Sequence, residues 1–180
     1  MHSGKHNNEH LSYSLEEAIL NDRLLSTTDC SAACSFPAAT AVTSSNLVGT
    51  VSLPATFQFS FSYEPVGYLP TMANIIDIVS NTLGSSLLTV SLEPESAQVA
   101  VFYLGQQIMS YGPGATSTGY TTFTVTVSST SVSVSNGAYS VTATQTIAAV
   151  PSPSNSLYVS GAGPSAGGSV QSIQVSGTSN

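Results

Sequence analysis

Residues Thr121–Ile147 read TTFTVTVSSTSVSVSNGAYSVTATQTI, and their period decides the fold class. Phe123, Val125 and Val127 alternate with Thr122, Thr124 and Thr126. After a short SST connection, Val132 and Val134 alternate with Ser131, Ser133 and Ser135. Asn136-Gly137 supplies the pair that tolerates positive φ in a type I′ turn, and Tyr139, Val141 and Ala143 resume the alternation. Successive side chains of a strand point to opposite faces, so a period of two with an Asn-Gly turn signals a hairpin. The stretch is expected to form a three-strand meander. One face is apolar; the other carries hydroxyls from Thr122, Thr124, Thr126, Ser133, Ser135, Ser140, Thr142 and Thr144.

The same logic extends outward. LVGTVSL leads through Pro54 into FQFSFSY, where Phe57, Phe59, Phe61 and Tyr63 share one face. Four aromatic rings on one side require a deep core, which places that strand centrally in its sheet. NIIDIVS is apolar on both sides except at Asp77, and Leu87–Leu92 and Gln98–Leu104 form a pair about the Pro94 turn. PSPSNS breaks the chain before Leu157-Tyr158-Val159; a glycine-rich turn over Gly161–Gly168 then leads to VQSIQVSG. About a dozen short strands separated by turn signals predict an all-β, antiparallel two-sheet β-sandwich or jelly roll. Phe57, Phe59, Phe61, Phe123, Val125, Val127, Val132, Val134 and Val141 are expected to face inward. Domain organisation is read as an arm, short helix and Cys-containing linker over 1–45, followed by a sandwich over 46–180.

Within the first segment, MHSGKHNNEHLSY is a polar arm. Ser14 followed by Glu17 fits a capping box, so LEEAILNDRLL is expected to be helical to about Leu25. Such a short helix is marginal alone in water and calls for a docking surface, on its own sandwich or on a neighbour.

Composition narrows the function classes. Only 6% of the 180 residues are charged, net charge is -7, and Lys5 and Arg23 are the only bases. Phosphate backbones and anionic lipids therefore find nothing to neutralise them, so nucleic acid is not an expected partner. No apolar run approaches the ~20 residues that span a bilayer, and residues 1–30 lack the pattern of a secretory signal. No N-x-[ST] acceptor occurs. After Glu95 there is no Asp, Glu, Lys or Arg at all. A neutral, β-prone surface without charged gatekeepers is one to be covered by neighbours, coated with O-linked sugar, or tolerated at low concentration.

The order of segments resembles the concanavalin A-like lectin and laminin-G-like sandwich over roughly residues 46–177. The early aromatic strand FQFSFSY, the pair IIDIVS and LLTVSL, then QVAVFYLGQ, the tandem FTVTVSSTSVSVSNG and the closing SLYVSG and SVQSIQVSG carry the resemblance. A tryptophan that commonly precedes the strand at Phe123 in that family is missing, since the chain has no Trp. The resemblance implies the fold far better than it implies a function.

Sandwich glycosidases similar to this fold need two carboxyls ~5 Å apart for retaining hydrolysis. Asp77 is the only acidic residue inside an expected strand, whereas Glu93 and Glu95 flank Pro94 on what should be a solvated hairpin tip. All three histidines, His2, His6 and His10, lie in the arm, so no imidazole is placed to activate a nucleophile. Their spacing could bind zinc or nickel on a helix, but Gly4 and Asn7-Asn8 disfavour one. The chain is accordingly expected to be no enzyme, with no cofactor or metal. Asp77 could hold a sugar hydroxyl or calcium, with Glu64 as the second carboxylate, but calcium wants 6–8 oxygens and a structural role fits better. Tyr63, Tyr68, Tyr111 and Tyr120 flank strands in Gly- and Pro-rich surroundings and offer faces for sugar or protein. Cys30 and Cys34 are too few for a zinc site; they are a disulfide candidate in an oxidising compartment and free thiols in a reducing one.

These features lead to one expectation and an alternative. The first is a non-catalytic structural subunit of an external assembly, a virion or a cell-surface filament or coat, with copies of itself or neighbouring subunits as partners. The alternative is a carbohydrate-binding lectin-like module with glycans as partners. Both place the protein outside the cell, at a cell surface or a virion surface.

Overall fold

The computed structural model describes residues 33–43, 46–148, 154–161 and 163–177. The arm with His2, His6 and His10, the expected helix and Cys30 lie outside the described residues. Among the described residues thirteen strands follow one another: β1 (Ala33–Phe36), β2 (Thr40–Ala41), β3 (Asn46–Val51), β4 (Phe57–Glu64), β5 (Ala73–Ser80), β6 (Ser85–Leu92), β7 (Val99–Tyr103), β8 (Gln106–Met109), β9 (Thr121–Val127), β10 (Ser131–Ser135), β11 (Ser140–Thr144), β12 (Asn155–Val159) and β13 (Ser169–Gly177). They form two antiparallel sheets. One has seven strands in the order β1-β13-β4-β9-β10-β11, with β2 also on β13; the other has six, β3-β12-β5-β6-β7-β8. The expected two-sheet β-sandwich is the fold observed.

Residues 33–41, part of the expected linker, contribute strands: β1 and β2 both pair with β13. The short sequences ACSF and TA carry too little alternation to be read as strands alone. β13 supplies the template, and its register places Cys34 and Phe36 on the core side, opposite Val175 and Ile173.

The core is made by the face that the alternation selects. Phe57, Phe59, Phe61 and Tyr63 of β4 are fully buried, as are Phe123, Val125 and Val127 of β9 and Val132 and Val134 of β10. The aromatic strand sits inside its sheet, between β13 and β9. Register pairs Phe61 with Phe123, whose ring centroids lie 5.5 Å apart, and Phe59 stands 5.4 Å from Phe61. Ile76, Ile78, Leu88, Val90, Val101, Leu157 and Val159 belong to the six-stranded sheet and to the same apolar core. Val141, on the outermost strand, is only half-buried because, among the described residues, no strand pairs with β11 on the side away from β10.

The β10–β11 turn differs from the two-residue type I′ turn expected. Ser135 pairs with Ser140, so four residues make the connection. Gly137 takes the left-handed backbone (φ 85°), but Asn136 does not. Instead the Asn136 side-chain oxygen accepts the amides of Ala138 (3.2 Å) and Tyr139 (2.8 Å). An Asn side chain that caps the loop removes the need for a second positive φ. Tyr139 is thereby lifted out of the strand and stands 62% exposed.

Candidate functional site

Antiparallel connectivity gathers five connections at one end of the sandwich: β4–β5 (65–72), β6–β7 (93–98), β8–β9 (110–120), β10–β11 (136–139) and β12–β13 (160–168). Hydrogen bonds tie them together. Glu95 donates its amide to the Leu69 carbonyl at 2.7 Å, and Ala115 donates to Ala97 at 2.9 Å. The Asn136 side-chain amide donates to the Gly114 carbonyl at 3.0 Å, and the Tyr120 hydroxyl meets Ser169 Oγ at 2.7 Å. Tyr68, Tyr111, Tyr120 and Tyr139 are exposed on this end, together with Val66 and Leu69. Most of the large apolar side chains that reach solvent among the described residues are therefore concentrated here.

Three of the four tyrosines singled out from sequence stand at this end as surface groups; Tyr63 does not. Its ring is fully buried, and its hydroxyl donates to the carbonyls of Gly167 (3.1 Å) and Ala166 (3.4 Å), which anchors the β12–β13 connection. Burial pushes its phenol well above the usual range, and nearby Tyr68 adds to the shift. Glu64 is half-buried at the end of β4, opposite Ser169. Tyr139, read from the alternation as a strand residue, joins the exposed set only because of the longer turn.

Glu93 is a correction. It was expected on a solvated tip, yet it is 5% exposed. Its Oε1 accepts the Gln107 side-chain amide at 3.2 Å and the Tyr111 backbone amide at 3.3 Å. Tyr111 has a left-handed backbone (φ 52°), so the carboxylate holds the turn that presents the most exposed tyrosine of the end. Glu95, across Pro94, is exposed.

Asp77 stands elsewhere, in the middle of β5 on the outer face of the six-stranded sheet, 1% exposed. Its Oδ2 accepts the Ser86 hydroxyl at 2.8 Å and its Oδ1 the Thr89 hydroxyl at 2.9 Å. Gly161 packs directly over it: a Cβ there would collide with the Asp77 side chain, 2.6 Å from Oδ2. Ser91 continues the polar row by donating to Asn74 Oδ1 at 2.8 Å. Asn74, Ser86, Thr89 and Ser91, with Met72 and Phe102, line a shallow groove of about 320 Å³. Hydroxyls and an amide against one aromatic ring suit a neutral polar ligand. Among the described residues no group of three His, Cys, Asp or Glu side chains could hold a metal ion.

A second surface covers the outer face of the seven-stranded sheet. Register lines up Ser35, Gln174, Ser60, Thr124, Ser135 and Ser140 in one row across six strands. A parallel row holds Ser176, Gln58, Thr126, Ser133 and Thr142. A third brings Ser62 Oγ within 2.8 Å of Thr122 Oγ1. None of these positions is charged. Cys34, on β1 at the edge of this sheet, is disulfide-bonded; Cys30 is the only other cysteine in the sequence.

No protein-family model and no curated protein matches the chain. Solved structures share its fold. The extracellular region of zebrafish Gpr126/Adgrg6 is 11% identical, with 81% of this chain and 21% of that one covered at a TM-score of 0.54. Trypanosoma rangeli sialidase with 2,3-difluorosialic acid is 12% identical, covering 81% and 30%, at 0.50. Exo-inulinase from Aspergillus awamori is 18% identical, covering 80% and 28%, at 0.49. The chain thus spans less than a third of the length of each. The sialidase overturns the expectation that the chain is no enzyme: the same sandwich occurs within an enzyme chain, so a domain without an imidazole or paired carboxylates is no ground for excluding that class. At these identities the likeness concerns the fold alone, a concanavalin A-like β-sandwich that also occurs in the extracellular region of Gpr126/Adgrg6.

Proposed function

We propose that the chain is a structural subunit of an external assembly, at a cell or virion surface, whose sandwich packs against copies of itself or neighbouring subunits through neutral sheet surfaces. The observation that carries this reading is the outer face of the seven-stranded sheet, where one row of Ser, Thr and Gln crosses six strands and a parallel row crosses five, neither with a charged side chain. Solitary domains normally blunt such faces and edges with Lys or Glu. Contacts built from neutral groups lose little when salt screens charge. The test is the mass in solution by light scattering over a concentration series, at about 0.1 M and about 1 M salt. An assembly that persists at both supports the reading; a monomer at every concentration, or an assembly that falls apart in high salt, overturns it.

A second reading has its own observation. Four exposed tyrosines on one end of the sandwich present rigid aromatic faces with hydroxyl tips, which suit stacking on sugar rings. Under it the chain is a carbohydrate-binding module, and a glycan array is the direct test. Retention of a defined glycan class, lost on Tyr111→Ala, supports it; an array without signal removes it.

A further inference from the structure

We propose that strand β11 is the self-association edge, on which two copies pair antiparallel about a two-fold axis at Thr142 and join their seven-stranded sheets. The inference rests on the subunit reading above and names the surface it uses.

Backbone hydrogen bonding shows which groups β11 leaves open. Asn136 donates to the Tyr139 carbonyl at 3.0 Å, and Gln145 donates to Thr130 at 2.9 Å. Antiparallel ladders alternate bonded and non-bonded pairs, so Val141 and Ala143 also turn their backbone groups toward β10. Ser140, Thr142 and Thr144 then turn their N–H and C=O groups the other way. Among the described residues no strand pairs with β11 on that side.

The sequence of the edge, Ser140-Val141-Thr142-Ala143-Thr144, is self-complementary in that register. Thr142 faces its own copy, Val141 faces Ala143, and Ser140 faces Thr144. Core-side residues meet core-side residues and hydroxyls meet hydroxyls, so the sheet faces stay in phase. Three mutually bonded pairs give about six new backbone hydrogen bonds. Val141 and Ala143 are half-buried, whereas Val134 and Val132 beside them are fully buried, so a second strand completes a core that stops short at this edge.

Charge and competition favour this edge and a second copy as its occupant. The last charged residue in the chain is Glu95, so the two-fold brings no like charges of β11 or its neighbours β9 and β10 together. The outer strand of the other sheet, β3, is flanked: Asn46 bonds to the Ala41 carbonyl, and Phe36 covers Gly49. β8, at the opposite edge of that sheet, is only four residues long.

The test uses the full chain in analytical ultracentrifugation with three variants. Thr142→Pro removes an outward N–H and leaves the β10 ladder intact, so the folded protein should dissociate at least about 100-fold more readily. Should that variant fail to fold, Thr142→Lys, which sets two ammonium groups face to face, serves in its place. Thr142→Cys places two thiols on a bonded pair about 5.5 Å apart between Cα atoms, within disulfide range, and should give a covalent dimer on copper-catalysed air oxidation. Ser140→Cys, opposite Thr144, should not. Wild-type association lost in T142P or T142K, together with T142C dimers, confirms the edge. Association unchanged in those variants, or T142C that stays uncrosslinked while the protein associates, overturns the edge and leaves the subunit reading standing. Wild-type protein that is monomeric throughout overturns both.

Discussion

Phe61→Ala tests the core where it is densest. The ring is fully buried, 5.4 Å from Phe59 and 5.5 Å from Phe123. Truncating a buried Phe costs about 3–5 kcal/mol through lost transfer energy and an unfilled cavity. Two ring pairs vanish together, each contributing about 0.5–1.5 kcal/mol beyond area burial. The loss should therefore lie in the upper half of that range, about 4 kcal/mol, against a total of about 5–15 for a domain. With a urea slope of about 2 kcal/mol per M, the unfolding midpoint drops by about 2 M. The assay is urea denaturation followed by far-ultraviolet circular dichroism, with Tyr111→Ala as the exposed control, expected within about 0.5 kcal/mol of wild type. A Phe61→Ala loss below about 1 kcal/mol, or one equal to the control, would refute the placement of β4 against β9 at the heart of the sandwich.

Other outcomes follow from the described geometry. Gly161→Ala combines a collision with the Asp77 side chain and a left-handed backbone (φ 68°); it should cost about 2 kcal/mol or more in thermal denaturation. Tyr63 and Tyr103 have phenols raised by burial from 10.0, so the folded form holds protons that the unfolded form releases. Their stabilising contribution is complete below about pH 10 and is lost as pH rises beyond it, which denaturation midpoints at pH 9 and 11 would register as a fall. Non-reducing alkylation and mass spectrometry should find Cys34 unalkylated; free thiol at Cys34 would contradict its disulfide. Asp77→Asn swaps an acceptor oxygen for an amide facing the Ser86 and Thr89 hydroxyls and should destabilise by about 1–3 kcal/mol, measured by the same urea titration.

Much of this architecture was legible because alternation is a direct image of strand geometry. Phe57 to Tyr63 and Phe123 to Val134 report their own orientation, since one face of each strand is dry. β1 and β2 were not legible: four and two residues have no period, and they become strands only because β13 offers a free edge. Glu93 was misplaced for a related reason. A Glu-Pro-Glu turn reads as solvated, but a carboxylate directly after a strand can reach the amide of Tyr111, eighteen positions on, which no local pattern reveals. The gathering of Tyr68, Tyr111, Tyr120 and Tyr139 is likewise a product of topology. Each tyrosine was visible singly, and only the antiparallel path shows that their loops share one end.

The positions of β12 and β13 have a consequence for how the protein is made. β12 lies between β3 and β5, and β13 between β1 and β4, so each sheet is completed by a strand that follows all its other members in sequence. During synthesis, β4 would emerge with its four aromatic side chains while its neighbour on one side is still more than a hundred residues away. Contacts of that sequence separation form slowly, because loop closure must be completed before pairing rewards it. Until Ser169–Gly177 leaves the ribosome, the side of β4 that it pairs with stays open among the described strands. An edge left open for that long exposes the nascent chain to misassociation until β13 pairs with it.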